Sequence, residues 1–187
     1  PETLLGALAA AVGQHRLITA ERVLLEQTLH GSIKALTDIL ALANPAAFGR
    51  ATRCKTMAGE LAARMKLPVK WHVEVAAMLA PIGCITLPPA TAEKLYQGKP
   101  LTDQERTMVD KLPSIANQLL APIPRLEDVR DVLINLGRKF DENGVAHTSV
   151  RQSNVPIGSR ILRVVLDADD LDSQGLPFPQ VLSILRS

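Results

Sequence analysis

The chain has 187 residues, of which 47% are hydrophobic and 3% aromatic, and a formal net charge of +2. That length fits one domain with an appended helix, its core built from Leu, Val, Ile, Ala and Met. The charge is too small to argue for nucleic acid, and no apolar run approaches the roughly 18–20 residues needed to cross a bilayer. Two cysteines, Cys54 and Cys84, make neither a disulfide framework nor a zinc pattern. Their apolar helical surroundings suit a reducing compartment, so a cytoplasmic location is expected. The chain opens at Pro1 without a basic leader and reads as a piece of a longer protein.

Residues 4–43 read as one or two long helices, with Leu5, Leu8 and Val12 at helical spacing and Leu17, Leu24, Ile33, Leu36 and Leu40 continuing less regularly. Gly6, Gly13 and Gly31 weaken this stretch by about 1 kcal/mol each relative to Ala. Thr19-Ala-Glu-Arg22 has the outline of a capping box, which predicts a break near residue 18. The apolar stripe needs cover, either from this chain's own core or from a second copy in a coiled coil. Asn44-Pro45 restarts the chain, and residues 46–66 form a helix with Phe48, Cys54, Met57, Ala58, Leu61 and Met65 on one side. Leu67-Pro68 is a turn, and Trp71–Leu79 is a short, very apolar helix.

Ala80-Pro81-Ile82-Gly83 should end or kink that helix, because proline lacks the amide donor and restricts the residue before it. Gly83 is read as permitting a sharp exit. Pro89–Tyr96 is a small helix. Thr102-Asp-Gln-Glu105 is a clear capping box opening the next one, and Pro113 starts another over residues 114–121. After the turn Ala121-Pro-Ile-Pro124, a helix carries Leu126, Val129, Val132, Leu133 and Leu136 to about Phe140. Residues 141–154 are a polar loop. Pro156 opens a helix with Ile157, Ile161, Leu162, Val164 and Val165 inward, and Pro179–Leu185 is the last. No strand signal or internal repeat stands out, so the fold class is all-α.

The order of these pieces over about residues 45–172 resembles the HD-GYP family of bacterial signalling proteins. The resemblance is carried by Arg50-Ala-Thr-Arg53 before Leu67-Pro68, Leu79-Ala-Pro-Ile-Gly83 with Leu87-Pro88, Leu101-Thr102, Lys111-Leu-Pro113 and Ala121-Pro-Ile-Pro124. It is strongest in Val155-Pro-Ile-Gly-Ser-Arg-Ile-Leu162, which is close to the family's IPLGARIL. It implies an HD-domain-like helical bundle over 44–187. It also implies a helical connector over 1–43, serving as a dimerisation segment behind an upstream phosphoacceptor receiver domain. Active members of that family hydrolyse cyclic di-GMP at a metal centre.

Residue by residue, the family's metal-binding and signature positions fall here on Arg50, on Ala80-Pro81, on Cys84 (a lysine in the family), on Leu112, on Leu136-Gly137 and on Leu166. The Gly-Tyr-Pro signature falls on Gly144-Val145-Ala146. Leu, Ala, Pro and Gly side chains carry no donor for iron, manganese or zinc, and Arg50 places a cation where a dication would sit. The resemblance therefore implies no metal, no cofactor and no catalytic residue. Leu112, Leu136 and Leu166 are expected to meet and turn the former site into ordinary core.

No other constellation rebuilds a centre. His15, His30, His72 and His147 are scattered. Asp167, Asp169, Asp170 and Asp172 lack the Gly and the Glu of a calcium loop and read as a solvated helix end. Cys54 and Cys84 are expected to be inert thiols near the old site. Arg50, Arg53, Arg138, Lys139, Arg160 and Arg163 could contact an anion or nucleotide, or form ion pairs with Glu60, Asp141 or Asp167. The expected function is a non-catalytic output module of a response regulator, acting as a homodimer on a signalling protein partner, without nucleic acid or membrane. A cyclic di-GMP sensor stands as the alternative, with a residual metal-dependent phosphohydrolase behind it.

Overall fold

A computed structural model describes residues 2–67, 70–137 and 155–186, and every regular element among them is helical. The first, α1 (Glu2–Ala43), is a single unbroken helix. The break expected near residue 18 is absent. Thr19 donates its hydroxyl to the His15 carbonyl at 2.8 Å, one turn back inside the helix, instead of capping a new one. Residues 1–35 form one compact unit and residues 36–187 another. In the first unit, the apolar side chains of Leu17, Ile18 and Leu24 are exposed. No described helix is long and apolar enough to cross a membrane.

In the second unit, Leu40 at the end of α1 is buried. Asn44 then caps α2 (Pro45–Arg64) by accepting the Ala47 N–H at 3.0 Å, a contact typically worth about 1 kcal/mol. Pro45 lies at the first helical position, where its missing N–H costs nothing. The buried face of α2 is made of Ala47, Ala51, Cys54, Ala58 and Ala62. Small side chains let neighbouring backbones come close, and α2 packs on α3 (Trp71–Leu79) and on α8 (Ile157–Ser173). Met65, expected inward, is exposed.

The helix α3 ends at Leu79, and Ala80–Thr86 continues as a 3₁₀ helix, so Pro81 ends the α-helix as its chemistry requires. Gly83 has a different task from the one expected. Its φ is not positive; a Cβ placed there would lie 2.7 Å from the Leu112 carbonyl oxygen. Glycine is needed for the close backbone approach of the 3₁₀ helix to α6 (Leu112–Leu120).

Two short helices, α4 (Pro89–Tyr96) and α5 (Asp103–Asp110), lie between them in sequence. The capping box at Thr102 is present: Glu105 accepts the Thr102 N–H at 2.9 Å, and Thr102 accepts the Glu105 N–H at 3.3 Å. Lys94 of α4 adds an ion pair to Glu105 at 2.8 Å. After α7 (Glu127–Ile134), residues 135–137 are turn where the apolar pattern predicts helix, and the expected end near Phe140 lies outside the described residues. The predicted loop over 141–154, and Pro68 of the predicted turn, lie outside the described residues.

The helix α8 buries Ile161, Leu162 and Val165 as expected, whereas Ile157 and Val164 are exposed. Ser159, buried on the same helix, donates to the Val132 carbonyl of α7 at 2.9 Å. The last helix, α9 (Phe178–Arg186), packs against α8.

Candidate functional site

One cleft gathers several of the positions singled out by the sequence. Arg50, Ala51 and Cys54 reach it from α2, and Ala77 from α3. Ala80, Pro81 and Cys84 come from the 3₁₀ helix, and Leu95 and Tyr96 from α4. Leu136 follows α7, and Arg163, Leu166, Asp167 and Asp170 come from α8. The cleft has a volume of ≈ 250 Å³. Arg50, Ala80, Pro81, Cys84, Leu136 and Leu166 therefore converge on one space.

The expectation of ordinary core is corrected by that space. Leu136 and Leu166 line it without filling it. Leu112 is not among the lining residues; it packs with Cys84, Leu87 and Ala92 in a cluster that borders the cleft through Cys84. Gly137 is exposed and not among the lining residues. The physical reason is side-chain size. Ala51, Ala77 and Ala80 stand where bulk would be needed to close the gap.

Arg50 is fixed by acids from α8. Its guanidinium contacts the Asp170 carboxylate, approaches Asp169 Oδ2 with Nε at 3.1 Å, and donates from Nη2 to the Leu166 carbonyl at 3.3 Å. Asp169 is buried and also accepts Arg53 Nε at 2.9 Å and Nη2 at 3.2 Å in a two-pronged contact. Burial pushes the Arg50 cation down, but Asp170 and then Asp169 outweigh it and hold it above its ordinary value. The aspartates expected to be a solvated helix end thus belong to a structured helix, and one of them is an internal anchor.

Asp169 was missed as a functional position, although a signal for it exists. It continues the buried stripe of Leu162 and Val165 at helical spacing, and an acid on such a face needs a cation.

The other anion candidates divide. Arg163 lines the cleft and holds Asp167 at 2.8 Å. Arg53 and Arg160 are not among the lining residues. Arg138, Lys139, Gly144, Val145, Ala146 and His147 lie outside the described residues. The acids paired with Arg50, Arg53 and Arg163 are Asp167, Asp169 and Asp170, and Glu60 is not among them. His72 lies 3.3 Å from Asp128 and tilts against the Trp71 ring, away from the cleft.

Both thiols face the cleft. Burial, with help from Asp169, pushes the Cys54 thiol up to about 11. Burial likewise raises Cys84, with the neighbouring Tyr96 hydroxyl and then the Arg50 cation working the other way. Tyr96, a second residue that sequence reasoning missed, is raised strongly by burial and then by the Cys84 thiol. Its hydroxyl is buried beside the Cys84 thiol, and no hydrogen bond of complete geometry reaches it among the described residues.

The HD domain family matches residues 34–180. The chain belongs to this family. No curated protein matches it, and no solved structure does. The match covers the second compact unit nearly end to end and accounts for the helical architecture.

A metal of the kind held by active HD-GYP proteins does not fit the donors that the described residues bring to this HD domain's cleft. No group of three or more His, Cys, Asp or Glu side chains converges as a ligand set among the described residues. Asp170 is held by Arg50 and Asp167 by Arg163, and both thiols are held in the protonated form.

Proposed function

We propose that this HD domain is a degenerate, HD-GYP-like, non-catalytic output module of a two-component response regulator. It acts in the cytoplasm, relaying the state of an upstream receiver domain through helix packing and contacts with a signalling protein partner. The observation that carries the reading is the cleft itself. Arg50, Ala80, Pro81, Cys84, Leu136 and Leu166 surround it with no imidazole among them, and the arginine cation is already held by Asp169 and Asp170. Without a bound dication there is no activated hydroxide and no clamp on a phosphodiester.

The connector role of α1 is supported by its length, about 63 Å at 1.5 Å per residue. The exposed Leu17, Ile18 and Leu24 of the first unit support pairing with a second copy. A cyclic di-GMP sensor gains no support from the arginines. Arg50, Arg53 and Arg163 are each held by an aspartate.

Two measurements test the reading. Incubation with cyclic di-GMP and Mn²⁺ or Fe²⁺ should give no hydrolysis; turnover abolished by a chelator would overturn the non-catalytic claim. Light scattering should give a dimer that Leu17→Glu combined with Leu24→Glu converts to a monomer. A monomeric parent chain would remove the homodimer.

A further inference from the structure

The cleft that replaces the family's centre retains enough room to hold a small molecule. An engineered apolar cavity of about 150 Å³ admits benzene, and this one measures ≈ 250 Å³. It therefore has space for a ring and a short substituent. A cyclic dinucleotide is far larger.

Its lining also sets the chemistry. Ala51, Ala77, Ala80, Pro81 and Leu136 give an apolar wall of short side chains. The charged side chains on the lining are Arg50, Arg163, Asp167 and Asp170, two of each sign, joined as Arg50–Asp170 and Arg163–Asp167. The wall thus carries no unmatched charge to attract an ion. Two buried polar atoms of the lining make no complete hydrogen bond among the described residues: Arg50 Nε, which faces Asp169 in an ion pair at 3.1 Å, and the Tyr96 hydroxyl, which has no charged partner. A buried polar atom without a partner is rare in folded proteins and costs stability. Because burial keeps the phenol protonated, it offers a donor.

We propose that this cleft binds a small, uncharged, largely apolar molecule bearing a carbonyl oxygen, which accepts the Tyr96 O–H while its apolar part lies against Ala51, Ala77, Ala80 and Leu136. The cleft is then a ligand-sensing site within the helical domain. The inference goes beyond the relay role and stands on the cleft alone.

The test uses acetophenone as the probe and ethylbenzene, which has the same ring and a similar substituent but no carbonyl, as its control. Both are titrated into the full chain and followed through the methyl resonances of a ¹³C spectrum. Acetophenone should shift the methyls of Ala51, Ala77, Ala80 and Leu136 saturably. Tyr96→Phe should weaken acetophenone about fivefold, the effect of losing one hydrogen bond, and leave ethylbenzene unchanged. Ala80→Leu, which fills the cleft, should block both. If that variant fails to fold, the methyl shifts of the parent chain decide the location by themselves. The proposal is overturned if acetophenone produces no saturable shift, if the shifts fall on other methyls, or if Tyr96→Phe affects the two probes alike.

Discussion

Replacing Asp169 by alanine should be the most damaging change of a single charged residue in the described body. The Asp169 side chain is 3% exposed and meets both Arg50 and Arg53. Breaking a buried ion pair by deleting one partner typically costs about 3–5 kcal/mol, because the other charge is left unmatched. Two features reduce that figure here. Arg53 is 57% exposed and returns to water on losing its partner, so its part belongs with surface pairs, about 0–1 kcal/mol. Arg50, 19% exposed, keeps Asp170. The expected loss for Asp169→Ala is therefore about 2–3 kcal/mol. Asp169→Asn preserves shape and one acceptor and should lose about 1–2 kcal/mol. Asp170 is 51% exposed, and Asp170→Ala should lose under about 1 kcal/mol.

Urea unfolding at constant slope reads these differences directly. A loss under about 1 kcal/mol for Asp169→Ala, or an Asp170→Ala loss as large, would refute the internal-anchor reading.

Three further outcomes follow from the same structure. Gly83→Ala should lower stability by about 1–3 kcal/mol, since its Cβ would press on the Leu112 carbonyl and push the 3₁₀ helix from α6; a thermal melt indistinguishable from the parent would contradict that close approach. Glu105 is depressed from the usual carboxylate range to about 2, first by Lys94 and then by the Thr102 backbone N–H. Its contribution is present above its unfolded value near 4.5 and is lost as pH falls toward 2, so the stability gap between the parent and Glu105→Gln should close on acidification, and a gap that stays constant from pH 6 to pH 2 would refute the pairing. Cys54 and Cys84, buried and with raised values, should react with a thiol reagent at neutral pH only slowly until urea exposes them; rapid labelling of the folded chain would show the reactive thiolates that this environment disfavours.

Much of the helical order is legible because it is written in local chemistry. Asn44 before Pro45, the Thr102–Glu105 box and Pro156 each mark a helix start, and each start lies within a residue of its expected place. The failures arise where a distant partner decides. Thr19 has the composition of a cap, but position 22 is arginine, which cannot accept the reciprocal N–H, and the hydroxyl turns to His15. Gly83 looks like a turn residue, yet its reason is Leu112, on another helix. Asp169 meets Arg53, 116 residues away in α2. Arg50, Ala80, Pro81, Cys84, Leu136 and Leu166 could be named in advance, but whether aliphatic side chains fill the cleft or only line it depends on packing volume, which no local pattern encodes.

The central claim is that the described residues of this HD domain's cleft offer no set of donors for a catalytic cation. Equilibrating the purified chain with Mn²⁺, Fe²⁺ and Zn²⁺, removing the excess and measuring metal per chain by mass spectrometry tests it most directly. The account predicts that no metal remains in stoichiometric amount. One or two ions retained per chain, and released by replacing Asp167 or Asp170, would contradict it.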